Sequence, residues 1–180
     1  MTLKKAIPFF ALALCVFASC KKNNSSSNGN YHFTATIDGK AQTFNVSPLA
    51  TIATNSGYSI IGIEGFTAAS STTQVLALSW TNTALGTIFT TGTYNDTASK
   101  YAIGAIYNPT ATESYGAGSG VTGDLTGTNA TGINRLKIII TSLDSTAVKG
   151  TFSGDFFFNG DPTEAKKTVT NGDFYVPWKK

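Results

Sequence analysis

The chain has 180 residues, is 41% hydrophobic and only 13% charged, and holds one histidine and two cysteines. Four of its thirteen Lys and Arg residues (Lys4, Lys5, Lys21, Lys22) fall in the first thirty positions, which contain no Asp or Glu, so residues 31–180 carry nine basic against ten acidic side chains, and the net +3 is the sum of +4 in the leader and −1 in the rest. This distribution leaves no basic footprint for nucleic acid, and with both cysteines in the first twenty residues the body of the chain has no disulfide, thiolate zinc site or cysteine nucleophile.

Residues 1–5 carry two lysines, residues 6–17 (AIPFFALALCVF) are an uncharged apolar run, and Ala18 and Ser19 are small. A charged start, a short greasy stretch and a small-residue cleavage site read as an export signal over residues 1–19. The run is too short to cross a bilayer, which takes about 20 apolar residues. Phe17-Ala18-Ser19-Cys20 resembles the lipobox of bacterial lipoproteins, with Phe17 where that family usually has Leu. The resemblance implies that Cys20 takes a diacylglyceryl group on sulfur and becomes an acylated amino terminus. Two or more acyl chains anchor stably, so the expected partner of Cys20 is a membrane surface. The bland alternative is an ordinary signal cut with Cys20 a bystander. Residues 21–30 (KKNNSSSNGN) have no apolar side chain. They read as a flexible tether with a reach of roughly 16–19 Å.

Residues 31–180 fit one domain. Short alternating segments recur between turn signals, and no 3.6-residue amphipathic period is present, which predicts an all-β fold: an antiparallel β-sandwich of about nine or ten strands, with a β-barrel as the alternative. In chain order, residues 31–37 alternate with Phe33, Ala35 and Ile37 on one face. Asp38-Gly39 reads as a tight hairpin turn, and residues 41–46 return with Phe44 and Val46. Residues 51–54 and 58–65 flank a turn at 55–57. Residues 74–80 place Leu76, Leu78 and Trp80 together, and residues 87–91 and 101–107 follow. Residues 108–132 read as loops around one weak strand. Residues 136–143 are strongly β-forming and apolar on both faces, as a central strand requires. Asp144-Ser145-Thr146 turns the chain into residues 148–158. There Val148, Phe152, Phe156 and Phe158 share a face, and Lys149, Thr151, Ser153 and Asp155 share the other. Residues 168–178 close the domain with Phe174, Val176 and Trp178 inward.

The stretches FTATIDGK (33–40), KGTFSGDFFF (149–158) and TVTNGDFYV (168–176), with LKIIITSLDST before the second, resemble a family of small Bacteroidetes lipoproteins. The resemblance implies a β-rich domain following the lipobox, and no catalytic residue or cofactor. Residues 67–132 carry none of its motifs. Surface-exported lipoproteins of that phylum tend to have acidic residues just after the cysteine. Lys21-Lys22-Asn23-Asn24 stand here instead, which implies the periplasmic face of the outer membrane ahead of the cell surface.

Candidate chemistry is sparse. His32 lies in the first strand on its outward side and reads as a solvated residue. Residues 118–123 match G-x-G-x-x-G, but more Gly/Thr-rich loop follows where a dinucleotide site needs a helix. The oxygen-rich loop Asn159-Gly160-Asp161-Pro162-Thr163-Glu164 is either a simple turn or the start of a calcium site. Asp38, Asp144 and Asp173 have turn explanations, and no local motif selects a carboxylate pair for glycoside hydrolysis. Tyr94, Tyr101, Tyr107 and Tyr115 can either finish the core or form a platform for sugars. The expected function is a lipid-anchored, non-catalytic binding module for a glycan or an envelope protein, without cofactor. The alternatives are a structural or assembly lipoprotein with no small ligand, and a carboxylate-dependent hydrolase.

Overall fold

The computed structural model describes residues 31–55, 58–68, 74–82, 89–96, 101–119 and 134–179. Among these residues there is no helix. Eleven strands form one antiparallel, strongly curled sheet, a half-barrel. The all-β expectation holds, and curling lets one sheet provide the two facing walls that a core needs.

The chain starts with β1 (His32–Ile37) and β2 (Lys40–Thr43), joined by Asp38 and Gly39 at φ 48° and 76°. Positive φ at both central residues matches the right-handed twist of a two-residue hairpin. Phe33, Ala35 and Ile37 are buried, as their alternation predicts. β3 (Val46–Asn55) and β4 (Tyr58–Phe66) form the next hairpin, and β5 (Val75–Asn82) continues the meander. Leu76, Leu78 and Trp80 of β5 are buried on one face. Gly65 of β4 is required by a close approach, since a Cβ there would lie 2.2 Å from the Phe44 carbonyl oxygen.

The strand expected at residues 87–91 falls elsewhere. Residues 87 and 88 lie outside the described residues, Phe89 and Thr90 belong to no strand, and β6 (Gly92–Asn95) begins after them. Phe89 leaves the extended register because its ring packs edge-on against Trp80, with centroids 6.2 Å apart. Tyr94 then folds its hydroxyl back on the Thr90 carbonyl and accepts from the Thr90 N–H. A local side-chain bond of this kind competes with strand pairing.

β7 (Tyr101–Asn108) pairs β5, and the short β8 (Tyr115–Gly118) pairs β7. β9 (Lys137–Leu143) lies between β6 and β10 (Ala147–Phe158), and β11 (Lys166–Pro177) lies between β10 and β1. β10 holds two neighbours on one edge: its first half pairs β9, and Phe157 and Phe158 pair β8. The sheet curls until its end strand β3 meets the end of β11. Ala50 and Trp178 form a parallel bridge, and the Lys179 N–H donates to the Ala50 carbonyl at 2.7 Å. Trp178 Nε1–H also donates to the Asp144 carbonyl at 2.7 Å, which ties that closure to the β9–β10 turn.

The core holds two aromatic groups. Phe33, Phe44, Phe152 and Phe174 gather around β1, β10 and β11, with Phe33–Phe152 centroids 5.6 Å apart. Trp80, Phe89, Tyr94 and Tyr101 form the second. Each fully buried large apolar side chain contributes about 1.5–3 kcal/mol.

The Asn-Gly-Asp at 171–173 is no turn. It sits inside β11, where Thr34 and Thr36 of β1 face Asp173 and Thr170, so β11 carries one extra residue. Phe152 and Gly154 of β10 face Gly172 and Val169, the same surplus seen from the other side. Asn171 takes φ 49° to absorb it. This β-bulge bends the strand and re-aims its side chains. Gly172 is needed because a Cβ there would lie 2.5 Å from both the ring and the carbonyl oxygen of Phe152.

Candidate functional site

The bulge borders a depression on the sheet surface. It is an open groove of about 620 Å³ across β9, β10 and β11, lined by Lys137, Ile139, Thr151, Ser153, Thr170 and Asp173 together with Phe152, Asn171 and Gly172. Strand register explains the lining. Ile139, Thr151 and Asp173 stand in one cross-strand row that continues to Thr34, and Ser153 stands beside Lys137. Rows of this kind put side chains on one face about 4.5–5.5 Å apart. The result is a rigid floor with hydroxyl, amide, carboxylate and ammonium groups pointing the same way.

One row along, His32, Tyr175 and Lys149 lie side by side on the same face. Tyr31 packs on Tyr175 with centroids 4.9 Å apart, and His32 lies 6.4 Å from that ring. His32 is therefore more than a solvated residue. It is half-buried, and its Nε2–H donates to Asp173 Oδ2 at 2.5 Å. Asp173 is the only carboxylate among the described groove-lining residues.

The sequence-predicted sites land as follows. Cys20 lies outside the described residues, as do residues 120–123 of the Gly-rich match. Asp161 of the 159–164 loop has its Oδ1 occupied by the N–H and hydroxyl of Thr163, at 2.9 and 2.7 Å. These two bonds hold its carboxyl below the usual carboxylate range. The loop is thus an Asx-type turn. Among the described residues no cluster of three or more His, Cys, Asp or Glu is placed to hold a metal. Asp144 caps its own turn in the same way, accepting from Thr146 and Ala147. Tyr94, Tyr107 and Tyr115 are buried and Tyr101 packs against the core, so these four rings finish the interior and offer no platform.

Asp155 is on the outward side of β10, as alternation predicts, but it is buried. It accepts from Asn134 N–H at 3.0 Å, Lys166 Nζ at 2.7 Å and Thr168 Oγ1 at 2.8 Å. Burial raises its pKa, but these donors outweigh burial and hold the carboxyl below its ordinary value. Asp96, also buried, behaves oppositely. The Arg135 guanidinium stands 3.6 Å away, and burial pushes the carboxyl up against that attraction. Both acids are structural and lie apart from the groove lining.

The groove escaped sequence reasoning in part. Alternation marks Lys149, Thr151 and Ser153 as outward, but nothing local says that Lys137 and Asp173 stand beside them. Compared with protein-family models, curated proteins and solved structures, the chain has no match in any of the three.

Proposed function

We propose that this chain is a lipid-anchored envelope protein whose β domain binds glycan in the β9–β10–β11 groove. The observation that carries the reading is the groove itself. Its open, pre-formed floor displays Thr151, Ser153, Thr170, Asn171, Asp173 and Lys137 on regular strands. Hydroxyl, amide and charged groups converging in a concavity suit a ligand with many hydroxyls, because each sugar hydroxyl then exchanges water for a fixed partner. Half-buried Tyr31 and Tyr175 at the rim offer ring surface for the apolar face of a sugar. The lipobox and tether support an anchor at Cys20, with the domain held on the periplasmic face of the outer membrane. A single carboxylate among the described groove-lining residues supports a binding role over glycoside hydrolysis, which takes two.

The test is thermal unfolding of the full-length protein, extracted in mild detergent, against a panel of polysaccharides. A glycan present at a hundred times its Kd adds about 2.7 kcal/mol, roughly 5–10 °C for a domain of this size. A shift with one glycan class, abolished by Thr151→Arg, is the expected result. No shift with any member of the panel refutes the reading.

A second reading has one observation in its favour. β2 ends the sheet, and Lys40, Ala41 and Thr43 of its four residues are exposed. An open edge can accept a strand from another protein, which fits a structural or assembly lipoprotein. Recovery of a stoichiometric protein partner that is lost on Ala41→Pro is the result that would favour it.

A further inference from the structure

The groove's charge distribution names a ligand class, and this inference rests on the glycan reading above. Lys137 is exposed, lines the groove and makes no ion pair among the described residues. Lys149, also exposed and without an ion pair there, stands on the same face, beside Tyr175. Lys137 is paired with Ser153, four residues along β10 from Lys149. At about 3.4 Å of rise per residue, the two lysine rows are roughly 14 Å apart along the strand. Between them lie Thr151 and Ile139. The one lining carboxylate, Asp173, is engaged by His32 at 2.5 Å. Among the described residues the face therefore presents two cations at the ends of a hydroxyl-rich floor, and its single anion already has a partner.

From this placement we infer that the groove selects an acidic glycan, a chain of uronic acid residues whose carboxylates meet Lys137 and Lys149 while its hydroxyls meet Thr151, Ser153 and Thr170. A neutral glycan satisfies the hydroxyl floor but leaves both ammonium groups unmatched. A carboxylate-bearing chain matches both ends at once, and complementary charge of this kind supplies specificity and register. The attraction is between exposed groups, so added salt screens it.

The experiment compares polygalacturonate with its methyl-esterified form, the same sugar without the charge, on the full-length protein in detergent. Lys137→Glu and Lys149→Glu are measured beside it. Both lysines are exposed, and the melting temperature without ligand checks that each variant is folded. Binding of the acid form about tenfold or more tighter than the ester, reduced toward the ester by either charge reversal and by salt, is the expected result. Equal binding of acid and ester, indifferent to both substitutions, overturns the charge inference and leaves the glycan reading standing. Binding of neither form, when a neutral glycan of the wider panel binds, overturns it in the same way. No binding of any glycan overturns both. Binding only to vesicles containing anionic phospholipid also overturns it, and assigns the lysines to the membrane surface.

Discussion

Replacing Asp155 by alanine probes the least expected contact in the structure. The carboxylate is fully buried and takes donors from three places: the segment before β9, the start of β11, and Thr168 opposite it. A hydrogen bond to a charged group is worth about 1.5–3 kcal/mol. The Lys166 contribution must be discounted, because its side chain is 42% exposed and exposed pairs contribute about 0.2–1 kcal/mol. The bonds from Asn134 N–H and Thr168 Oγ1 carry most of the rest, and half-buried Thr168 can partly rehydrate. The expected cost of Asp155→Ala is therefore about 3–4 kcal/mol, or a fall in Tm of roughly 6–16 °C. Lys166→Met should cost only about 1 kcal/mol, since the other donors remain. Urea unfolding of both variants measures the difference. The pH dependence provides a second reading of the same carboxylate. Its folded pKa lies below the unfolded value of about 3.9, so its stabilisation is complete above that value and is lost as pH falls through the folded pKa. The gap between wild type and Asp155→Asn should be constant from pH 7 to about pH 5 and begin to narrow as pH falls below about 4. Equal and small losses for Asp155→Ala and Lys166→Met, or a gap that persists unchanged at pH 3, would refute the reasoning.

Other outcomes follow from the packing and the leader. Phe152→Ala, at the meeting of Phe33, Phe174 and Gly172, should cost about 3–5 kcal/mol in urea unfolding. Gly172→Ala should destabilise by about 1–3 kcal/mol, because the new methyl meets Phe152 at 2.5 Å. Gly116→Ala, whose nearest contact would be 3.6 Å, should lie within about 0.5 kcal/mol of wild type. Cys20→Ser should move the protein from the membrane fraction to the soluble fraction of a cell lysate. Retention in the membrane fraction would argue against the lipid anchor.

Much of this protein is legible in its amino-acid order, because much of it depends on neighbours in the chain. Alternation over residues 32–37, 75–82 and 147–158 places Phe33, Leu76, Trp80 and Phe152 in the core without reference to any partner strand. The Asp38-Gly39 and Asp144-Ser145-Thr146 turns are local chemistry, and the structure keeps both. Phe89 shows where local reading stops: its ring is drawn to Trp80, and the strand begins three residues later. Asn171-Gly172-Asp173 has the composition of a turn but is a bulge, since only the count of residues against β1 and β10 reveals the surplus. Asp155 has the alternation of an exposed residue, but Asn134, Lys166 and Thr168 cover it from other strands and segments. The groove is of the same kind. Lys137, Thr151 and Asp173 are spread over 37 positions of sequence, and antiparallel register alone sets them side by side. A strand's own order decides which way each side chain points. Only the pairing of strands decides what stands beside it, and a binding surface on a sheet is made of what stands beside what.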